Sequence, residues 1–373
     1  MEQLLEWMEI IEDVRQEGKV RHKIKDILII VLFATLANAD TWEEIADFAT
    51  WNEEYLKQYI ELKNGVPSHD TIQRVMGMIR PENLQQLQVR WQELLNSNEG
   101  EKLKKIICLD GKTMRSNKRK QGKPCHIVSA WSREDGYCLG QRAVDEKSNE
   151  ITAIPQVLES IEIKGQVVTI DAMGTQTAIV EVIRKRRADY VLAVKGNQGT
   201  LEEDIRLYFE DVEVLENLKK SGGYKKTIEK AHSQIEIREY YQTEDIRWMI
   251  QKKNWKGLKS IGMEKNTLKR DGKETTEYRY YISSLGQDME LFSRAVRGHW
   301  SIESMHWQLD VTFREDANTT ADKTAAQNQN IIRKWCLSML KLLEIRGKKM
   351  SLKRKRFNIS FAPGMYIDEL MKI

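Results

Sequence analysis

A chain of 373 residues with 40% hydrophobic and 31% charged side chains is long enough to bury a full core and too apolar to be disordered. Its net charge of +4 sets up no global basic field, so any affinity for nucleic acid has to come from local clusters. Four cysteines without C-x-x-C spacing exclude a zinc module or disulfide framework, and the longest apolar stretch, Ile27 to Ala39, is too short for a bilayer. The acidic opening residues lack a signal pattern, and a cytoplasmic protein without a membrane partner is expected.

Residues 1–98 read as helical throughout. His22 to Asn38 carries apolar residues on a broad face, and Thr41-Trp42-Glu43-Glu44 has the form of a capping box opening a second helix. Ser68 is a candidate N-cap for a third. Pro81 stands in the first turn of a fourth, whose apolar stripe runs through Leu84, Leu87, Trp91, Leu94 and Leu95. Such a bundle either reads DNA in helix-turn-helix fashion or packs and dimerises, and no basic recognition helix decides between the two.

From about Leu103 to Gln198 the rhythm changes. Lys105–Leu109, His126–Trp131 and Tyr137–Val144 read as strands, followed by a helix at Ile151–Ile161 and a strand at Val167–Ile170. A helix at Thr175–Arg187 and a strand at Tyr190–Val194 complete a β-β-β-α-β-α-β order, which fits a mixed sheet flanked by helices. Asp110 ends the first strand and Asp171 the fourth; if those strands lie side by side, the two carboxylates are neighbours. Residues 201–285 read as a mostly β insertion with strands at Ile235–Tyr241, Gly257–Met263 and Arg279–Ser283. Asp288 to about Leu343 returns to helix and carries Glu303, and the last thirty or so residues are basic and loosely patterned.

An aspartate after a strand is commonly a turn residue or helix cap, and a glutamate on an amphipathic helix is commonly solvated. Taken together, Asp110, Asp171 and Glu303 point elsewhere. Two carboxylates at the ends of buried strands and a third from a helix form a cluster that repels itself unless divalent cations neutralise it. Hard oxygen ligands select Mg2+ or Mn2+, and a pair of such ions suits phosphodiester chemistry. Basic clusters at Lys118–Lys120, Arg184–Arg187 and from Arg346 to Arg356 are either phosphate-binding surfaces or plain solvated faces. His299, Glu303, His306 and Asp310 fall on one helical face, where the histidines either join the acid or pack. Trp300 and Trp307 are expected in the core rather than stacked on bases. A zinc hydrolase built on His299, Glu303 and His306 lacks the H-E-x-x-H pattern and leaves both aspartates unexplained.

Six motifs follow in order: Asp110-Gly111-Lys112-Thr113, VDEKSNEI at 144–151, TIDAMGTQ at 169–176, YVLAVKGNQ at 190–198, HWSIE at 299–303 and HWQLDVTFRED at 306–316. The series closely resembles the bacterial insertion-sequence transposases of the DDE type, in the group that includes the H-repeat-associated proteins, over nearly the whole chain. The resemblance implies an α/β, ribonuclease H-like catalytic domain at 99–345, with a mixed sheet, flanking helices and a β-rich insertion at about 200–286. It implies an all-α transposase-associated domain at 1–98 with a role at DNA ends, and a basic tail at 346–373. In such enzymes Asp110, Asp171 and Glu303 would hold two Mg2+ or Mn2+ ions. Water cuts the element's end, and the freed 3′-hydroxyl attacks target DNA.

Candidate DNA contacts on these motifs are Lys112, Arg115, Lys195, Asn197 and His299, with a turn role equally open to Asn197. The expected partners are the element's terminal repeats, a target duplex and a second copy of the chain on DNA, with no small-molecule substrate. Relatives commonly carry Tyr, Arg, Glu and Lys along the last catalytic helix. Here Val296, His299, Glu303 and Asp310 stand in those places, so Asp310 is not expected to position DNA as the lysine does. A metal-dependent nuclease that cuts without joining, and a degenerate DNA-binding remnant, are the alternatives.

Overall fold

The computed structural model describes residues 2–9, 11–96, 104–116, 124–144, 149–231, 234–344 and 347–372; Lys118–Lys120, Asp145–Ser148 and Arg346 lie outside them. Its N-terminal part is a set of helices: α1 (Glu2–Met8), α2 (Ile24–Leu36), α3 (Trp42–Trp51), α4 (Glu53–Leu56), α5 (His69–Met76) and α6 (Pro81–Asn96). Ile27 to Leu36 is buried on every side, as a run without a polar face requires. The capping box at α3 is present: Thr41 Oγ1 accepts from the Glu44 amide at 3.1 Å, and Glu44 Oε2 accepts from the Thr41 amide at 3.1 Å. Ser68 caps α5, and Pro81 opens α6.

The α/β part runs β1 (Ile106–Thr113), β2 (His126–Ser132), β3 (Tyr137–Ala143), α7 (Glu150–Ser160), β4 (Val167–Ile170), α8 (Thr177–Lys185) and β5 (Asp189–Val194). Then come α9 (Gly199–Glu210), α10 (Val212–Lys220), β6 (Tyr224–Ala231), β7 (Gln234–Thr243), β8 (Ser260–Arg270) and β9 (Lys273–Ser283). The chain ends with α11 (Met289–Val311), α12 (Lys323–Leu342), α13 (Leu352–Phe361) and α14 (Pro363–Lys372). All nine strands form one sheet in the order β3-β2-β1-β4-β5-β9-β8-β7-β6. β1, β4 and β5 are mutually parallel and the remaining pairings antiparallel. Strand alternation sorts the interior into two layers: Ile106, Cys108 and Val167 belong to the core with α11 and α12, while Ile107, Leu109, Val168 and Ile170 belong to the core with α7 and α8.

Three expectations need correcting. β1 does not stop at Asp110 but continues to Thr113, because β2 keeps pairing with it as far as Thr113 opposite His126. The insertion opens with two helices and holds four strands, and β9 pairs with β5, so it extends the main sheet. β6 was hidden by its composition, YKKTIEKA, the lysine-rich form typical of an edge strand. The basic tail is in fact folded as α13 and α14: Arg356 is fully buried, its guanidinium donating to the Thr35 and Thr312 carbonyls and pairing with Asp40 at 2.6 Å. The helical N-terminal part and the α/β part share one core that runs from Leu4 through α2 to Trp335. Among the described residues, no helix is long and apolar enough to cross a membrane.

Candidate active site

Register brings the first two acids together. Cys108 lies opposite Thr169 and Leu109 opposite Ile170 on parallel neighbours, so Asp110 and Asp171 come next on adjacent strands. α11 crosses this face close to the strand: Cys108 Sγ is 3.4 Å from the Gly298 carbonyl oxygen, and a Cβ on Gly298 would sit 2.5 Å from Arg133 Cδ. Two histidines tie the helix to the two acid-bearing strands. His299 Nδ1 is 3.1 Å from Thr169 Oγ1, and His306 Nδ1 is 3.4 Å from Asp110 Oδ2. Glu303, between them in sequence, borders a cavity of about 120 Å³ with Asp171, Lys195, Arg279 and His299.

The turn after β4 is braced from several sides. The Gly174 amide donates to Asp171 Oδ1 at 3.1 Å, and the buried Thr175 hydroxyl donates to the Ala193 carbonyl at 2.6 Å. Asn197 Nδ2 donates to the Ala172 carbonyl and Gln198 Nε2 to the Thr175 carbonyl, each at 2.6 Å. Gly174 is required here, since a Cβ would run into the Ile170 side chain and lie 2.9 Å from Ile154 Cδ1. Gly174→Ala should therefore cost about 1–3 kcal/mol in urea unfolding. A variant as stable as wild type would show that the turn has slack.

The electrostatics are those of a site short of positive charge. Burial raises the Asp171 pKa, the Gly174 amide opposes, and the charges of Asp110 and Glu150 push it up further. Burial followed by Asp110 raises that of Glu303. Burial lowers the pKa of His299, outweighing the opposing charges of the two aspartates. Oxygen donors that raise one another's proton affinity suit a hard divalent cation. Among the described residues, no three His, Cys, Asp or Glu side chains already converge as a ligand set.

The linkage has a definite sign. Raised folded-state pKa values mean that Asp171 and Glu303 favour the fold while protonated and lose that contribution as pH rises through the folded values. In metal-free buffer at pH 7, Asp171→Asn should raise the melting temperature by roughly 1–3 °C. The difference should fade towards pH 4, and an unchanged or lower melting temperature at pH 7 would contradict it.

The other candidate contacts separate. Lys112 is not available to DNA: its side chain is only 11% exposed, and its Nζ lies 2.6 Å from Asp310, 3.0 Å from Glu315 and 3.2 Å from Asp316. Asp310 thus holds Lys112, on β1. Arg115 is 83% exposed and 3.6 Å from Asp316, and Lys195 is exposed at the cavity rim. The Asn197 amide is taken by its turn, and His299 faces Thr169 inside the site. Trp307, expected in the core, is 57% exposed, and Trp300 lies under the Arg279 guanidinium at 4.3 Å. Sequence reasoning missed Arg279 because it lies in the insertion. It also missed the His126–Glu150 pair at 2.7 Å, which packs where a Cβ on Gly111 would fall.

Acids delivered to one face by two parallel strands and a crossing helix are the site's defining arrangement, and comparison with known proteins gives the family. Residues 101–339 match the model of the transposase DDE domain, and residues 5–92 match the one described as DDE_Tnp_1-associated. The chain belongs to the transposase DDE domain family. It is 39% identical over 384 residues to "Putative transposase YncI" of Escherichia coli O157:H7, covering 100% of this chain and 95% of that one. It is 38% identical to "H repeat-associated putative transposase YhhI" of Escherichia coli strain K12, over 85% of this chain and 84% of the other. A shorter relative from the same strain, "Inactive transposase YbfQ", is 43% identical over 77 residues, 21% of this chain and 92% of its own.

Proposed function

We propose that the protein is a working DNA transposase that cleaves the ends of its insertion sequence and transfers the 3′-hydroxyl strand to target DNA, on a ribonuclease H-like catalytic domain. The observation that carries this reading is the strand register that sets Asp110 beside Asp171 under α11, with Glu303 bordering the same cavity as Asp171. In this reading the three carboxylates supply the oxygens for two Mg2+ or Mn2+ ions. Bound there, such ions polarise the scissile phosphodiester and activate the attacking water or 3′-hydroxyl.

The chain's own groups do the rest. His299 and His306 fix α11 on the two strands, while Asn197, Gln198 and Thr175 hold the Asp171 turn rigid. Lys195 and Arg279 bring positive charge to the side of Glu303, where a phosphate would approach. Arg115 offers a further exposed cation, and a homodimer on DNA would present two ends together. The test is a strand-transfer assay with a pre-cut end of the element in Mg2+ or Mn2+. Joined product supports the reading, and cutting without joining would make the protein a nuclease. Binding without either reaction would make it a remnant.

A further inference from the structure

The end of the sheet away from the acids carries a basic surface that this chemistry does not use. We propose that it holds the backbone of the target duplex away from the point of joining, an inference that rests on the transposase reading above. Two segments distant in sequence build it: the loop from β7 to β8, residues 244–259, and the turn from α8 into β5. Register puts both at one end of the strands, since Thr243 lies opposite Ile261, Ser260 opposite Ser283 and Ser283 opposite Val191. The two segments touch. A Cβ on Gly257 would fall 2.8 Å from Arg184 Nε, and the Tyr190 hydroxyl donates to the Lys256 carbonyl at 3.4 Å.

Buried Ile246, Met249, Trp255 and Leu258 anchor the loop and leave Lys252, Lys253, Lys256 and Lys259 exposed. Lys185 and Arg187 are exposed on the neighbouring turn, Arg187 at a backbone cost, since its φ of 60° suits glycine or asparagine better. A charge run is usually a solvated face with acids interspersed. Lys57, Lys219 and Lys269 fit that pattern, with a carboxylate at 2.7, 2.7 and 2.9 Å. The six cations of this surface do not: no Asp or Glu occurs between Ile246 and Lys259, and among the described residues none of the six is in an ion pair. The whole chain has a net charge of only +4, so without these six it would be negative.

Lysines on a fixed loop neutralise phosphates without reading base edges, which suits DNA taken for its backbone rather than its sequence. The surface also stands apart from the reacting phosphate. Asp171 follows the end of β4, whereas Asp189, two residues after Arg187, lies opposite Val167 at its start. The four residues of β4 span roughly 13 Å, so one phosphate cannot meet both places.

The test uses the full chain and the triple variant Lys252→Ala, Lys253→Ala, Lys256→Ala. Binding to a short fluorescein-labelled duplex free of element sequence is followed from low to high salt. The variant should lower the salt slope by about two to three. Its joining of a pre-cut end to a separate target duplex in Mg2+ should fall about tenfold at physiological salt, while cleavage of the element's own end stays unchanged. Because the three lysines are exposed, the variant should melt like wild type. An unchanged slope, or cutting that falls as far as joining, overturns the proposal. A wild type that joins nothing, with the slope still falling in the variant, would sink the transposase reading while supporting the duplex surface.

Discussion

Asp110→Asn and Asp171→Asn should each slow metal-dependent cleavage of a DNA end by about 10³-fold or more, with DNA binding retained. The replacement keeps size and shape and removes one negative charge. If each carboxylate is a cation ligand, the loss is several kcal/mol of stabilisation of the charge developing on the phosphodiester, and each 1.36 kcal/mol is a factor of ten in rate. Glu303→Gln should behave alike, since Glu303 shares the cavity with Asp171 and the Asp110 charge raises its pKa. Rates are compared in Mg2+ and in Mn2+ on a labelled end; a variant within about threefold of wild type would remove that carboxylate from the site.

Asp40→Ala should lower stability by about 3–5 kcal/mol in urea unfolding. Asp40 is 3% exposed and pairs with Arg356 at 2.6 Å and with Arg314 at 2.8 Å. Removing it strands the buried Arg356 guanidinium, and an uncompensated buried charge costs more than the pair itself gains. Arg356→Met should cost less, because Asp40 keeps Arg314, and the double variant should recover part of the loss. Arg314 follows α11 directly, so this knot joins the N-terminal helices, the C-terminal pair and the helix bearing Glu303. A loss below about 1 kcal/mol would mean that water reaches Arg356 once Asp40 is gone.

Local rules made much of the fold legible. The capping box at Thr41, proline at the start of α6, and the β-branched runs before Asp110 and Asp171 each act through nearest neighbours, and each element begins close to its expected start. The chance that the first and fourth strands would pair was also readable, because a mixed sheet flanked by helices lets them lie side by side. What escaped depends on partners distant in sequence. β1 runs past Asp110 only because β2 goes on pairing with it, and β6 survives on lysines because an edge needs one partner. Arg356 looked like part of a solvated tail because its partners, Asp40 and Thr35, are more than 300 residues away. The same blindness hid the three acids around Lys112. It also concealed the exposure of Trp307, since helical spacing gives a face but not what that face meets.

The most direct test of the central claim is Mn2+ binding to the free protein at pH 7, followed by electron paramagnetic resonance. The account predicts that wild type takes up Mn2+ and that Asp110→Asn, Asp171→Asn and Glu303→Gln each weaken uptake by tenfold or more, with the fold intact by circular dichroism. Unchanged Mn2+ affinity in all three variants would contradict it, and the acids would then be a structural cluster rather than the centre that cuts DNA.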